Sequence, residues 1–336
     1  MTDSSSPARK RVVSGMRPTG QLHLGQLVGA LGNWVPLQDT YDCFYFVADW
    51  HALTSDYANT GQLTTYAYEM VADWIAAGLD PERSTLFVQS LVPEHAELYL
   101  LLSMVVPVPW LERVPTYKEI AEQLTDRDLS SIGFLGYPLL QTADVVIYDA
   151  NVVPVGEDQV PHLELSREVV RRFNNIFGEV FVEPLAMLTP TPRLPGLDNR
   201  KMSKSYGNTI DLADDAATVV KKVRQMYTDP KRVRADIPGT VEGNPVFDYH
   251  DVFNPNLDEV EDLKTRYREG RVGDVEVKTK LAAAVNARLE PIRQRRAEAL
   301  ARPGYLREVI VEGSKKARVR AVETMARVRE AVKLVY

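Results

Sequence analysis

A pair of lysines offers the clearest chemistry in this chain. They lie three residues apart in the segment Lys201-Met202-Ser203-Lys204-Ser205, after a stretch rich in Pro and Gly that predicts a loop. Two ammonium groups on a loop can stabilise a polyphosphate whose charge shifts during a reaction. A lysine pair alone also fits a solvated basic turn, so a second motif is needed to decide.

A glycine-rich segment follows the first predicted strand and opens a helix. It reads Gly15-Met16-Arg17-Pro18-Thr19-Gly20-Gln21-Leu22-His23-Leu24-Gly25-Gln26. Glycines let a nucleotide approach the backbone closely, and the N–H groups at a helix N-terminus favour phosphate. The segment is neither the dinucleotide fingerprint nor the P-loop. Because no P-loop occurs anywhere in the chain, P-loop kinases and GTPases are disfavoured.

Strand-like and helix-like segments alternate through the first half of the chain. Apolar runs predict strands at 11–15, 43–48, 85–89 and 152–156. Helical spacing predicts helices at 24–37, 60–78, 94–104 and 158–174. This order predicts an α/β fold, a Rossmann-like doubly wound parallel sheet covered by helices. Ligands of such sheets bind outside the carboxyl ends of the strands.

Beyond Lys201 the sequence predicts helices alone, at 214–226, 257–268, 275–300 and 305–335. The chain should therefore end in an all-helical domain, and a length of 336 residues suits two domains. We expect a disordered tail at 1–11, a Rossmann catalytic domain at 12–208 that includes the lysine loop, and a helical domain at 209–336.

Composition narrows the class of protein. No apolar run approaches the roughly 18 residues that span a bilayer, so no membrane is expected. The single cysteine, Cys43, fits a reducing compartment and hence the cytoplasm, and with five histidines no metal site is expected. The net charge is −6, yet residues 281–336 carry thirteen Lys and Arg against six Glu. This basic end suggests a polyanionic partner, although a solvated helical face explains it equally well.

Four motifs in order resemble one family. The segment His23-Leu24-Gly25-Gln26 resembles the HIGH element of class I aminoacyl-tRNA synthetases, and the lysine loop resembles their KMSKS loop. Two further segments are similar to tryptophanyl-tRNA synthetases: Ala48-Asp49-Trp50-His51-Ala52-Leu53-Thr54, and Val153-Pro154-Val155-Gly156-Glu157-Asp158-Gln159 followed by His162, Glu164 and Leu165. The resemblance covers nearly the whole chain.

The resemblance implies two sets of site residues. The ATP set is Arg17, Pro18, Thr19, His23, Gly25, Gln26, Gly156, Glu157, Asp158, Leu194, Lys201, Met202, Ser203, Lys204 and Ser205. The tryptophan set is Gly15, His51, Tyr137, Gln141, Asp144, Val153, Val155 and Gln159. By resemblance, the residues that act in catalysis are Lys118, Lys201, Lys204 and Gln26.

Individual roles also follow from the resemblance. Asp144 should accept the indole N–H, Tyr137 and Gln159 should hold the α-amino group, and Val153 and Val155 should press on the ring. For the two valines, a place in the strand core is an equally good reading.

One residue departs from the family pattern. Gln26 stands where the HIGH element ends in His, and its longer side chain can still donate a hydrogen bond to ATP from its amide.

The resemblance implies partners as well. They are L-tryptophan, ATP with Mg²⁺, tRNA(Trp) read by an anticodon-binding domain at 209–336, and a second copy of the chain in a homodimer. An apolar run at 105–111 is a candidate for the dimer surface, although a core role is at least as good. The basic residues Lys315, Lys316, Arg318, Arg320, Arg327, Arg329 and Lys333 are candidates for contacts with phosphates.

Three alternatives remain open from the sequence. The spacing of Tyr137, Gln141 and Asp144 is also that of tyrosyl-tRNA synthetases, which share the fold. A nucleotidyltransferase without a tRNA step, or a paralogue that has lost catalysis, would keep much of the same pattern. The intact pair Lys201 and Lys204 argues against the inactive paralogue.

Overall fold

A five-stranded parallel sheet forms the centre of the fold. The structure is a computed structural model that describes residues 9–114, 131–188 and 194–336. The strands are β1 Arg11–Met16, β2 Asp42–Val47, β3 Ser84–Val88, β4 Val152–Val155 and β5 Leu185–Leu188. They lie in the order β3-β2-β1-β4-β5, and every neighbouring pair is parallel. The chain therefore reverses its direction of winding between β1 and β4, where doubly wound sheets bind ligands.

Helices flank the sheet and continue beyond it. In the described residues they are α1 Leu24–Gln26, α2 Gly32–Leu37, α3 Asp49–Asp56, α4 Leu63–Ala77, α5 Glu94–Ser103, α6 Val108–Glu112, α7 Ile132–Val146, α8 Val160–Phe177, α9 Ala216–Arg224, α10 Pro245–Phe253, α11 Leu257–Arg268, α12 Asp274–Leu300 and α13 Pro303–Ala331. A π-helical turn, Leu27–Leu31, joins α1 to α2. The predicted fold class, a Rossmann-like sheet with a C-terminal helical region, is confirmed. None of the described helices is long and apolar enough to cross a bilayer.

The strands of this sheet are continuous apolar runs because both faces of the sheet are buried. Five of the six β2 side chains are buried, because helices cover both faces of the sheet and leave no solvated face to alternate with. The rings of Phe46 and Phe87, on neighbouring strands, lie 5.5 Å apart. Gly15 faces Phe46 across the β1–β2 pairing, and a Cβ on Gly15 would lie 2.4 Å from that ring. A side chain larger than hydrogen does not fit there.

The described chain forms two compact units. The sheet unit contains residues 9–20, 33–114, 131–188 and 302–336, and the helical unit contains residues 21–32 and 194–301. This division is drawn differently from the predicted domains at 12–208 and 209–336, because α13 belongs to the sheet unit and the lysine loop to the helical unit. The anticodon-binding role of 209–336 stays a prediction. Arg11 is the first residue of β1 rather than the end of a tail, and residues 1–8 lie outside the described residues.

Helix α13 packs on β3 at very short range. Gly313 lies so close to the strand that a Cβ would be 1.8 Å from the carbonyl oxygen of Leu86. The contact continues at the next residue of the helix, where Ser314 Oγ accepts the N–H of Val88 at 3.4 Å. The terminal helix is thus a structural cover of the edge strand.

Ion pairs on α13 involve four of the basic residues that are candidates for phosphate contacts. Arg327 donates to both carboxylate oxygens of Asp149 at 2.7 and 2.8 Å, and Arg320 also pairs with Asp149. Arg318 pairs with Glu94 at 2.9 Å and Arg329 with Glu97 at 2.5 Å. These arginines thus bond acidic groups of their own unit. Their contact with phosphates stays a prediction.

Candidate active site

A buried carboxylate forms the centre of the predicted tryptophan pocket. Asp144 lies on α7 with 1% of its surface exposed. Its Oδ2 is 2.8 Å from Nε2 of His51, and its Oδ1 is 2.6 Å from Nδ1 of His95. Gln89 donates a third hydrogen bond to Oδ1 at 2.7 Å. Burial alone would raise the pKa of Asp144, but the hydrogen bonds from His51 and His95 lower it to about 2.

Tyr148 extends this cluster by one further bond. Its hydroxyl lies 2.6 Å from Nε2 of His95, so His95 bridges Tyr148 and Asp144. Burial first, and then the charges of Asp144 and Glu94, raise the pKa of the Tyr148 phenol, which stays protonated. Tyr148 and Asp144 are four residues apart and therefore lie on the same side of the helical path.

Gln89 also fixes the position of α3, which carries His51. Its side-chain oxygen accepts the N–H of Trp50 at 3.2 Å, while its amide nitrogen donates to Asp144. At the same end of α3, Asp49 accepts the N–H of Ser90 at 3.1 Å. The sequence predicted the pair His51 and Asp144 as site residues, and the structure brings them together.

The sequence analysis missed Gln89, His95 and Tyr148. All three are fully buried polar groups. His95 lies in a segment that was predicted correctly as a helix, whereas Gln89, predicted as the end of a strand, begins a 3₁₀ turn after β3. The available signal was a histidine on the apolar helix at 94–104 and a tyrosine four residues after Asp144.

Most of the remaining predicted pocket residues lie on α7, within β4 or just after it. The rings of Tyr137 and His162 lie 5.5 Å apart between centroids and are tilted by 45°, and the Tyr137 hydroxyl is 3.5 Å from Nε2 of His162. Gln141 is half-buried one turn before Asp144. Val153 and Val155 are buried in β4, and Gln159 donates to Asp158 at 3.1 Å. Whether these side chains contact tryptophan stays a prediction.

Predicted ATP residues occupy both sides of the switch point of the sheet. After β4, Gly156, Glu157 and Asp158 are exposed at the start of a 3₁₀ turn. After β1, the chain turns at Arg17, where the N–H of Thr19 bonds the Arg17 carbonyl at 2.9 Å and Arg17 reaches Ser55 at 3.5 Å. Pro18 is buried in this turn. The two exposed ends border the position that binds ligands in such sheets.

The two signature motifs lie together in the helical unit. Backbone bonds join Leu24 to Ile210 at 2.9 Å and Leu212 to Leu22 at 2.8 Å, so the chain after the lysine loop pairs with the chain around His23. Gln26 accepts the N–H of His23 through its side-chain oxygen at 3.1 Å. This bond holds the first turn of α1, and the extra length of Gln26 relative to the family pattern is compatible with it.

Charge couples the same two motifs. Burial, and after it the positive charge of Lys204, lower the pKa of His23 to about 4. His23 is therefore neutral at pH 7 and can stand beside a lysine without repulsion.

A buried asparagine braces the lysine loop. Asn208 accepts the N–H of Ser203 at 2.9 Å and donates to the carbonyl of Lys201 at 3.1 Å and to Asp198 at 2.8 Å. Lys201 is exposed and Met202, Ser203 and Lys204 are half-buried, whereas Leu194 is buried before the loop. Ser205 belongs to the 3₁₀ turn Lys204–Tyr206. Lys118 lies outside the described residues.

Comparison with known proteins decides the family. The family model described as tRNA synthetases class I (W and Y) matches residues 6–290 of the chain. The chain belongs to this class I tRNA synthetase family. A tryptophan–tRNA ligase of Treponema pallidum is 51% identical to this synthetase over 96% of the chain and 97% of the relative. One from Thermotoga maritima is 50% identical over 97% of the chain and the whole of the relative.

A solved structure agrees with this placement. The tryptophanyl-tRNA synthetase of Campylobacter jejuni, complexed with ADP and tryptophan, matches this synthetase with a TM-score of 0.86 at 33% identity. The match covers 96% of this chain and 99% of that chain.

Proposed function

We propose that this synthetase is a tryptophan–tRNA ligase, which forms tryptophanyl-adenylate from L-tryptophan and ATP and transfers the tryptophanyl group to tRNA(Trp). The observation that carries the proposal is the full-length similarity, 51% identity, to a relative of that name. The tyrosine alternative is not favoured, because the curated relatives reported above are tryptophan–tRNA ligases. The same relatives disfavour a nucleotidyltransferase or an inactive paralogue.

Formation of the adenylate depends on positioning of the reactants and on stabilisation of charge in the transition state. The tryptophan carboxylate attacks the α-phosphorus of ATP, the bond to the bridging oxygen breaks, and pyrophosphate leaves with its electron pair. Lys201 and Lys204 would stabilise the negative charge that develops on the leaving group, together with Lys118. Removing one such contact typically lowers the rate about 10²–10³-fold. Mg²⁺ would arrive with the ATP phosphates and share that charge.

The ATP site in this proposal uses the residues that the resemblance implies. Arg17, Pro18 and Thr19 would line it, and Gly156, Glu157 and Asp158 would hold the ribose and adenosine. Gln26 would donate from its amide, as the resemblance implies.

Asp144 would recognise tryptophan by accepting the indole N–H. The support is its burial, which removes competing water, and its lowered pKa, which keeps it a charged acceptor at pH 7. An analogue without a ring donor would leave a buried carboxylate with an unfilled bond, and sites of this kind discriminate by about 10⁴–10⁵. Tyr137 and Gln159 would hold the α-amino group. His51, whose Nε2 lies 2.8 Å from Oδ2 of Asp144, would lie at the indole end of the pocket. Gln141 would tune tolerance of ring substituents.

A homodimer also belongs to the proposal. Exposed apolar side chains lie along this stretch of chain: Leu100 of α5, Met104 just after α5 and Val108 at the start of α6 are 53%, 69% and 52% exposed. Exposed apolar groups of this size near one another are typical of protein–protein contacts. Sedimentation of the wild type and of Met104→Glu tests this surface, since the charge should shift a dimer towards the monomer. A cytoplasmic location is proposed on the strength of the single cysteine.

The test of the whole proposal is charging of tRNA. Purified protein is given ATP, Mg²⁺, radiolabelled tryptophan and total tRNA, and acid-precipitable label is counted. The proposal predicts label on tRNA that base hydrolysis removes, and no label when Lys204→Ala replaces the wild type. Adenylate formation without charging would instead support the nucleotidyltransferase.

A further inference from the structure

We infer that Tyr148 and His95 act as positioning residues that hold Asp144 as an ionised, correctly aimed acceptor for the indole N–H. The inference rests on the proposed function and deepens it. Neither Tyr148 nor His95 is expected to touch the substrates. Their role is to decide which oxygen of Asp144 stays available to a ligand.

The hydrogen-bond directions follow from the chain Tyr148–His95–Asp144. An ionised carboxylate only accepts hydrogen bonds, so Nδ1 of His95 donates to Oδ1 at 2.6 Å. A neutral imidazole that donates from Nδ1 accepts at Nε2. The phenol of Tyr148, 2.6 Å from Nε2, supplies that donor. Tyr148 thereby selects the tautomer of His95 that bonds Asp144.

The two oxygens of Asp144 are consequently not equivalent. Oδ1 receives two bonds, from His95 and Gln89, and both donors are completely buried. Oδ2 receives the bond from His51, which is slightly exposed. An incoming indole N–H meets Oδ2, because only that oxygen has a neighbour near solvent. The two bonds to Oδ1 then fix the orientation of the carboxylate plane relative to the indole ring.

Helix α5 carries His95 and is itself held on both sides of it. Glu94 pairs with Arg318 at 2.9 Å and Glu97 with Arg329 at 2.5 Å, both on α13. Phe46 and Phe87 pack near the imidazole, with ring centroids 6.1 and 6.3 Å from it. The imidazole of His95 is completely buried among these rings.

The experiment compares two substrates that differ in one donor. ATP–pyrophosphate exchange is measured with tryptophan and with the analogue whose ring N–H is replaced by sulfur, and the ratio of their kcat/KM values is the discrimination. Tyr148→Phe removes the donor to His95. The inference predicts that kcat/KM for tryptophan falls about ten- to a hundred-fold while that for the analogue is unchanged. The matched control is Tyr45→Phe, which removes another buried hydroxyl, bonded to the carbonyl of Trp34 at 3.1 Å.

A second pair of variants tests His95 itself. His95→Asn retains a donor near the Nδ1 position and should keep most of the discrimination, whereas His95→Leu removes the donor and should lose it. Equal loss for both substrates would indicate a merely structural role and overturn the inference. An unchanged ratio in Tyr148→Phe and His95→Leu would overturn it too. If the wild type shows no tryptophan-dependent exchange, the proposed function itself fails.

Discussion

The side chain of Met202 lies directly over Gly25, so that a Cβ on Gly25 would be 2.8 Å from the Met202 sulfur. One residue belongs to the glycine-rich motif and the other to the lysine loop, 177 positions apart in the sequence. Because Gly25 has no side chain, the Met202 side chain of the lysine loop has room to pack on this turn. The position of the lysine loop thus depends on the absence of a side chain at Gly25, elsewhere in the same unit.

Replacing Gly25 should therefore damage catalysis more than folding. In Gly25→Ala, the new methyl group displaces the flexible Met202 side chain, and the lysine loop shifts with it. A misplacement of about 1 Å can lower a rate about 10²-fold. The measurement is kcat for ATP–pyrophosphate exchange beside the thermal midpoint. Gly29→Ala is the matched control, because a Cβ there would meet no atom within 4 Å. Equal rates for the two variants would refute this role of the Gly25 contact.

The titration of His23 should report its closeness to Lys204. Burial and the Lys204 charge lower its pKa to about 4, so the unfolded chain, with an ordinary pKa near 6.5, binds more protons between these values. Stability is then complete above about pH 6.5 and falls as the pH drops towards 4. NMR titration of the five histidines should find two with a pKa near 4, His23 and His162, and Lys204→Gln should raise only the pKa of His23. A pKa of His23 near 6.5 in the wild type would contradict the geometry.

Asn208 should matter for the loop although it touches no substrate. Asn208→Ala removes three hydrogen bonds from a buried side chain, two of which fix the backbone of the lysine loop. We expect kcat to fall about 10–10²-fold through misplacement of the lysines, with little change in KM for tryptophan. Asn59→Ala, which removes an exposed asparagine side chain, should leave kcat unchanged. A larger effect on KM than on kcat would argue against a bracing role.

The contact between α13 and β3 should be sensitive to a single methyl group. In Gly313→Ala the new Cβ meets the rigid backbone carbonyl of Leu86, so overpacking should lower the free energy of unfolding by about 1–3 kcal/mol. Gly304→Ala, on the same helix, meets no atom within 4 Å and should not destabilise the protein. Urea denaturation of both variants checks the pair. Similar stabilities would mean that α13 does not press on β3.

Much of the fold could be predicted because it depends on local patterns. Buried strands of a parallel sheet are continuous apolar runs, and β1 to β4 lie within a residue or two of their predicted places. Strand β5 was missed, because it is an edge strand with mostly exposed side chains. Helix α7 was not delimited either, since it contains Pro138, which ordinarily signals a helix end.

The site could be predicted only where a motif marked it. His51 and Asp144 belong to segments that resemble the family, so their proximity was expected. The bonds from Gln89 and His95 to Asp144 span 55 and 49 residues and leave no periodic trace in the sequence. The ion pairs of the α13 arginines could not be predicted for the same reason, since their acidic partners lie 171 to 232 positions away in the sequence.

The most direct test of the account is amino-acid-dependent ATP–pyrophosphate exchange, run with all twenty amino acids at equal concentration on the wild type and on Asp144→Asn. We predict exchange with tryptophan alone, and a loss of at least about 10²-fold in kcat/KM for tryptophan in Asp144→Asn, whose amide no longer offers a charged acceptor. Exchange with tyrosine in place of tryptophan, or exchange with tryptophan that is unaffected by Asp144→Asn, would contradict it.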